Sequence, residues 1–174
     1  MVSAAIAVAG AALTAAAGEP GSYLQKDIST AKIVETSRGY AVDVSILASD
    51  FEEMFQKSFN ERRGVDLSVS GALEREIGRF VAERITMRGG DGTPCPGKVE
   101  RSGEDPGNDE GVRVSMTFEC PSHDAVYDAN KLLATHSSRA WQVVTISRGD
   151  AHGQAMVQAM INAESPPVRL AEFR

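Results

Sequence analysis

The chain has 174 residues and a mass of 18.5 kDa, which fits one domain with a removable leader and excludes two large domains. Hydrophobic residues make up 42% and charged residues 24% of the sequence, and the mean hydropathy is -0.21. This composition is globular, neither disordered nor polytopic. The formal net charge of -6 disfavours phosphate neutralisation, so we expect no binding to nucleic acid or to an acidic membrane surface.

The beginning of the chain has the pattern of an export signal. Residues 2–18 carry no charged side chain and contain a run of three alanines near their end. The run is shorter than the roughly 20 apolar residues that a membrane-spanning helix needs. We expect residues 1–17 to be a signal peptide and residues 18–174 to form a single extracytoplasmic domain, in the periplasm or on the outer face of the membrane. Signals usually begin with Lys or Arg, which is missing here, so an uncleaved N-terminal anchor is the alternative.

The sequence contains two cysteines, Cys95 and Cys120, which are 120 − 95 = 25 positions apart. In an exported protein such a pair predicts a disulfide. On the chain-entropy model this bond would stabilise the fold by roughly 3 to 4 kcal/mol. A zinc site is the weaker interpretation, because the two thiols belong to no CxxC pair and have no histidine at the usual spacing.

Alternating apolar residues predict a first β-ribbon. In residues 40–46 every second side chain is apolar, which is the pattern of a strand with one buried face. Residues 32–36 precede a Ser-Arg-Gly turn and are the predicted hairpin partner. The ribbon is the first structural element that we expect after the leader.

Two short amphipathic helices are predicted after the ribbon. Asp50 is the expected N-cap of the first, with Glu53 completing a capping-box-like pattern. The second is expected to begin near Ser70, and Gly78 weakens it without breaking it. The predicted buried faces consist of Phe51, Met54, Phe55 and Phe59 in the first helix, and of Leu73, Ile77, Phe80 and Val81 in the second.

The second half of the chain reads as mostly β. Residues 112–120 alternate without a miss and form the clearest predicted strand. Residues 102–111 are predicted to be a polar, flexible loop, and residues 154–163 fit either a helix or a strand. Further strands are expected at residues 85–88, 141–147 and 168–173. The predicted fold class is therefore mainly β, an antiparallel, Ig-like β-sandwich with two short helices inserted after the first β-ribbon.

No motif in the sequence predicts catalysis or cofactor binding. A G-x-S-x-G elbow and a phosphate-binding glycine loop are both missing. The three histidines, His123, His136 and His152, are the weak candidates for a divalent metal, since none belongs to an H-x-x-x-H or H-E-x-x-H pair. The acidic residues between positions 104 and 110 lack the ligand ladder of a calcium loop, so we expect them to be solvated.

Four short stretches carry a family resemblance. They are Ser22-Tyr23-Leu24, Val42 to Ile46 followed by Asp50-Phe51, Ile85 to Cys95 with its Asp91-Gly92, and Met116 to Pro121. In this order they resemble the extracytoplasmic N-terminal region of HupE/UreJ-like bacterial membrane proteins.

The resemblance implies a signal peptide and a β-rich domain, followed after Arg174 by membrane helices of a kind associated with nickel uptake by hydrogenase and urease accessory proteins. The family often carries a histidine close to the start of the mature region, where this chain has Glu19-Pro20-Gly21. A metal-binding role for that terminus therefore does not transfer.

These observations predict a non-enzymatic, extracytoplasmic accessory or interaction domain without a cofactor, and the resemblance implies a link to nickel handling. The expected partner is a membrane protein or a membrane-spanning continuation of the chain. The alternative is a stand-alone periplasmic metal-binding protein that uses the candidate histidines with acidic neighbours. A hydrolase is the third class, and it would require a pocket that brings Ser, His and Asp together.

Overall fold

The computed structural model describes residues 24–59, 71–150 and 153–173. The predicted signal peptide lies outside these residues. Nine strands and three helices are found in this part of the chain. The helices are α1 (Ala48–Phe59), α2 (Ala72–Ala82) and α3 (Asn130–His136), and the strands are β1 (Ile28–Thr36), β2 (Gly39–Leu47), β3 (Thr86–Gly89), β4 (Gly97–Asp105), β5 (Asn108–Glu119), β6 (Ala125–Asp128), β7 (Trp141–Asp150), β8 (Gly153–Asn162) and β9 (Val168–Arg169).

The strands form two sheets. The larger has six strands in the order β4-β5-β2-β1-β7-β8, and the smaller has three in the order β3-β6-β9. All pairs are antiparallel except β1 and β7, which run parallel from Ile28 opposite Trp141 to Val34 opposite Ser147. A short 3₁₀ turn (Leu170–Phe173) follows β9.

The predicted mainly β class is confirmed, and so are the two helices after the first ribbon. The predicted purely antiparallel arrangement is wrong, because the six-stranded sheet is mixed. An Ig-like sandwich is not confirmed. The physical reason lies in the connection through α3, which returns the chain to the sheet in the direction of β1 and thereby makes β7 its parallel neighbour.

The core lies on one face of the six-stranded sheet. The alternating residues of β2 are buried there, with Val42 between Ile33 of β1 and Met116 of β5. The helices and the smaller sheet cover this face, and one contiguous apolar cluster joins all of these elements. Among the aromatic rings, Phe80 of α2 meets Phe51 of α1 edge-on with centroids 5.4 Å apart.

The two predicted helices differ from expectation at their first turns. The helix α1 begins at Ala48, and the carboxylate of Asp50 accepts the backbone N–H of Asp27 instead of capping its own helix. In α2 the side chain of Leu73 is 47% exposed, while Ala72 occupies the buried position in that turn. The side chain of Phe59 lies outside the described side chains.

Arg84 ties the three helices together. Its guanidinium donates to Ser58 of α1, to the carbonyl of Phe80 at the end of α2 and to Thr135 of α3. It also lies 3.8 Å from the centre of the Phe80 ring. Because the side chain is 9% exposed, these contacts satisfy a cation that the helices largely enclose.

Candidate functional site

The disulfide is the first feature of the candidate site. Cys95 and Cys120 are joined, with Cα atoms 4.8 Å apart, so the predicted pairing is present in the structure. Cys95 follows the turn after β3, and its backbone N–H donates to the carbonyl of Met87. Cys120 comes directly after β5. The bond therefore links the end of the longest strand to the loop that connects the two sheets.

A cleft of about 530 Å³ opens beside this disulfide. It lies where the end of α2 and strand β3 face strands β4 and β5, and its size is within the range of binding pockets for small molecules. Most lining side chains are apolar. The lining consists of Ala82, Ile85, Thr86, Met87, Arg88, Pro94, Cys95, Gly97, Lys98, Met116, Phe118 and Asp128.

The floor of the cleft is shaped by a close approach between Gly97 and the ring of Phe118. These residues face each other in the β4–β5 register. A Cβ atom at position 97 would lie 2.7 Å from the Phe118 ring, so glycine is the residue that leaves this ring in place. The ring is 5% exposed, so it forms a fixed apolar part of the floor.

Charged groups lie at the rim of the cleft. Arg88 Nη2 is 3.8 Å from Asp128 Oδ2, and Lys98 Nζ is 3.1 Å from Glu100 Oε2. The hydrogen bond from Lys98, aided by one from Thr117, lowers the pKa of the Glu100 carboxyl. Arg88, Lys98 and Glu100 are exposed and Asp128 is half-buried, so the rim is polar while the floor is apolar. This arrangement suits a ligand with an apolar part that enters and a polar part that stays at the surface.

No sequence pattern predicted the cleft. Its lining comes from five separate elements, and no motif connects them. The only sequence signal for it was the pair of cysteines, whose disulfide lies where the two sheets approach each other. Lys98 lies in a strand that the sequence did not predict.

His123 lies near the surface and pairs with one carboxylate. Its Nδ1 atom is 2.5 Å from Oε1 of Glu35, and two-thirds of its side chain is exposed. The backbone carbonyl of the same residue accepts a hydrogen bond from the hydroxyl of Tyr40. The structure thus places His123 beside the end of β1, next to the carboxylate of Glu35.

His136 is buried between two carboxylates. Its Nε2 atom is 3.5 Å from Oδ1 of Asp27 and 3.5 Å from Oδ2 of Asp50, and it has no hydrogen-bond partner among the described residues. The hydroxyl of Ser137 donates to the same oxygen of Asp27. Asp27 has a left-handed backbone with φ 61°, a conformation that aspartate tolerates better than most residues. The cluster joins the end of α3 to the starts of β1 and α1.

Of the candidate histidines, the two in the described part of the chain, His123 and His136, are not brought together. His123 and His136 face different carboxylates, and His152 lies outside the described residues. Within the described ranges, no group of three or more His, Cys, Asp or Glu residues is placed to hold a metal ion.

The acidic stretch near position 105 is not the flexible loop that we expected. Strands β4 and β5 extend through most of it and turn at Pro106-Gly107. The side chain of Asp105 is buried, accepts the backbone N–H of Gly107 and lies 2.6 Å from Nη2 of Arg113. Its charge is thus used to close a hairpin, because a buried carboxylate needs a cation and N–H donors.

None of the helices in the described part of the chain is long and apolar enough to cross a membrane. No protein-family model matches the sequence, and no curated protein matches it. The resemblance to HupE/UreJ-like proteins therefore stays a prediction from the short stretches given above.

Proposed function

We propose that this chain is an exported, non-enzymatic interaction domain that binds an apolar segment of a membrane protein in the cleft beside the Cys95–Cys120 disulfide. The observation that carries the proposal is the cleft itself, with a rigid apolar floor, a polar rim and a covalent bond in its wall. Such a shape recognises an apolar side chain by burial and its neighbours by charge.

The apolar side chains of the floor favour ligand binding over catalysis. Met87, Met116 and Phe118 present thioether and aromatic surfaces, which are apolar and suit the burial of an apolar ligand. Arg88 and Lys98 on the rim each lie beside one carboxylate, Asp128 or Glu100, so an acidic residue of a ligand can take the place of either partner. A segment with an apolar residue next to an acidic one would therefore fit both the floor and the rim.

Export is supported by the disulfide, because such bonds persist in oxidising compartments and are rare in the cytosol. The apolar leader predicted at residues 1–17 agrees with it. The choice of a membrane protein as partner rests on the resemblance to HupE/UreJ-like proteins, and a link to nickel handling rests on that resemblance alone.

A photocrosslinking amino acid at Thr86 tests the proposal. This residue is exposed and lies on the rim of the cleft. In living cells we expect a crosslink to an integral membrane protein, and we expect the crosslinked chain in the envelope fraction. The double change Arg88→Glu and Lys98→Glu should weaken that crosslink several-fold, because it reverses the charge at the rim.

Lys32 provides the matched control position. It is also exposed, but it lies on the face of the six-stranded sheet that points away from the core and the cleft. The same crosslinker at Lys32 should not capture the membrane protein. Recovery of the chain only from the cytosol with both thiols free, or equal crosslinking from both positions, would overturn the proposal.

A further inference from the structure

The two edges of the six-stranded sheet have opposite character. The edge strand β4 carries charged residues along most of its length, and its pairing with β5 is interrupted by two register shifts. Charges and bulges are the devices that keep an edge strand from pairing with another chain. The edge strand β8 has ten residues and contains no charge and no proline.

The strand β8 also pairs regularly. Its register with β7 runs without a shift from Trp141 opposite Asn162 to Asp150 opposite Gly153. Among the described residues, no strand pairs with its other side. A long, regular and uncharged edge presents a row of backbone donors and acceptors that is a template for a further strand.

Exposed apolar side chains lie next to this edge. Met156 is 59% exposed and Met160 is 58% exposed, and both belong to β8. Trp141, at 38% exposure, lies on the neighbouring strand β7, where the next outward residue, Val143, faces Met160. Single exposed apolar residues are ordinary, but a group that borders an open strand edge marks a surface for another chain.

The two exposed methionines of β8 are placed symmetrically about Gln158. Met156 precedes it by two positions and Met160 follows it by two. Residues directly opposite each other in an antiparallel pair lie on the same face of a sheet. If Gln158 faces Gln158 of a second copy, each Met156 therefore faces the Met160 of the other copy on the same outer face, and the two-fold axis maps the strand onto itself.

From this self-complementarity we infer that two copies of the chain pair antiparallel along β8, with Gln158 next to the two-fold axis, and form one continuous twelve-stranded sheet. The seam carries no charge on β8 although each chain has a net charge of -6, so the copies meet where mutual repulsion is smallest. The inference does not depend on the proposed function of the cleft.

The dimer would hold two clefts at its far ends. Gly97 and Lys98 of the cleft belong to β4, at the opposite end of the sheet from β8. Pairing along β8 therefore leaves both clefts open. Two such sites on one rigid body bind a partner that presents two segments more tightly than either site alone.

Sedimentation equilibrium of the purified chain with its disulfide intact tests the inference. We expect a mass twice that of the chain as purified. The double change Met156→Lys and Met160→Lys puts four lysines on one seam and should give a monomer. Leu73→Lys is the matched control, since it replaces an exposed apolar residue on α2, and it should stay dimeric. Circular dichroism checks that each variant is folded.

A cysteine at position 158 tests the register. Opposed residues in an antiparallel pair have Cα atoms about 4.5 to 5.5 Å apart, which lies within disulfide range. Gln158→Cys should form a covalent dimer on mild oxidation, whereas Glu100→Cys on the β4 edge should not. A monomer at all micromolar concentrations, a dimer that survives the lysine pair, or no crosslink at position 158 would overturn the inference. None of these outcomes bears on binding in the cleft.

Discussion

The hydroxyl of Tyr127 donates a hydrogen bond to Oε1 of Gln142 at 2.9 Å, and both side chains are completely buried. Tyr127 belongs to β6 of the smaller sheet, and Gln142 belongs to β7 of the larger one. This bond is therefore a polar contact that joins the two sheets at buried positions. Its geometry fixes how the smaller sheet lies over the larger one.

Removing the hydroxyl should destabilise the protein. Tyr127→Phe leaves the buried oxygen of Gln142 without its donor, which costs about 1 to 3 kcal/mol. The double variant Tyr127→Phe with Gln142→Leu should recover part of that loss, because no polar group then remains unpaired. Urea unfolding of the four proteins in a double-mutant cycle measures the coupling. Additive effects of the two changes would contradict the tie between the sheets.

Alkaline pH provides a second test at the same residue. Burial raises the pKa of the Tyr127 hydroxyl above its usual value near 10. Above about pH 10 the unfolded chain loses this proton while the folded chain keeps it, so the free energy of unfolding falls with rising pH by about 1.4 kcal/mol per unit from this group.

Between about pH 10 and pH 11 the free energy of unfolding of Tyr127→Phe should therefore fall less steeply with pH than that of the wild type. The difference in slope approaches the value for one proton. Denaturant unfolding at each pH measures it. Parallel curves for the two proteins would show that the hydroxyl titrates alike in both states.

The carboxylates around His136 predict non-additive mutations. His136→Leu removes the imidazole that faces the buried carboxylate of Asp50 and should cost about 1 to 3 kcal/mol. In the presence of Asp50→Asn the same change should cost less, since a neutral amide has a smaller need for a polar neighbour. Urea midpoints of both single variants and the double variant measure the difference. An equal cost in both backgrounds would mean that the two side chains do not interact.

Alanine substitutions at two glycines with positive φ distinguish the cost of steric overlap from the cost of backbone strain. Gly39 has φ 143°, and a Cβ there would overlap the carbonyl oxygen of Phe118 across the β2–β5 pair. Gly92 has φ 87° with nothing within 4 Å. Gly92→Ala should cost about 1 kcal/mol from strain alone, and Gly39→Ala more than about 3 kcal/mol. Thermal unfolding measures the loss of stability in each variant. A smaller loss for Gly39→Ala than for Gly92→Ala would contradict the steric overlap.

Reduction of the disulfide should lower stability and alter the cleft together. The loop of 25 positions predicts a loss of roughly 3 to 4 kcal/mol when the bond is broken. Urea unfolding with and without a reductant measures it. The double variant Cys95→Ala and Cys120→Ala should unfold like the reduced protein and should no longer respond to reductant. An unchanged midpoint on reduction would exclude a stabilising role for the bond.

Sequence patterns predicted the strands that have one buried face. Every second residue is buried from position 40 to 46 of β2 and from position 114 to 118 of β5, so the alternation of apolar and polar residues is visible in the sequence. The strand β4 was missed because it is an edge strand with few buried side chains, and a polar edge has the composition of a loop. The helix α3 was also missed, because its seven residues are too few to show a helical period.

The ambiguity at residues 154–163 was resolved by tertiary contacts. Alanine, glutamine and methionine favour a helix, but pairing with β7 makes the segment a strand. The candidate site could not be predicted from the sequence for a related reason. Its floor joins Met87 to Met116 across two sheets, and only the cysteine pair hinted that these parts of the chain meet.

The parallel pair at the centre of the larger sheet constrains the order of assembly. Ser29 of β1 and Trp141 of β7 are neighbours although 112 positions separate them, and contacts between distant residues form slowly. The side of β1 that pairs with β7 therefore stays open until strand β7, late in the chain, is in place. The hairpin of β4 and β5 and the nearby cysteines have no such delay, so the covalent bond can close before the sheet does.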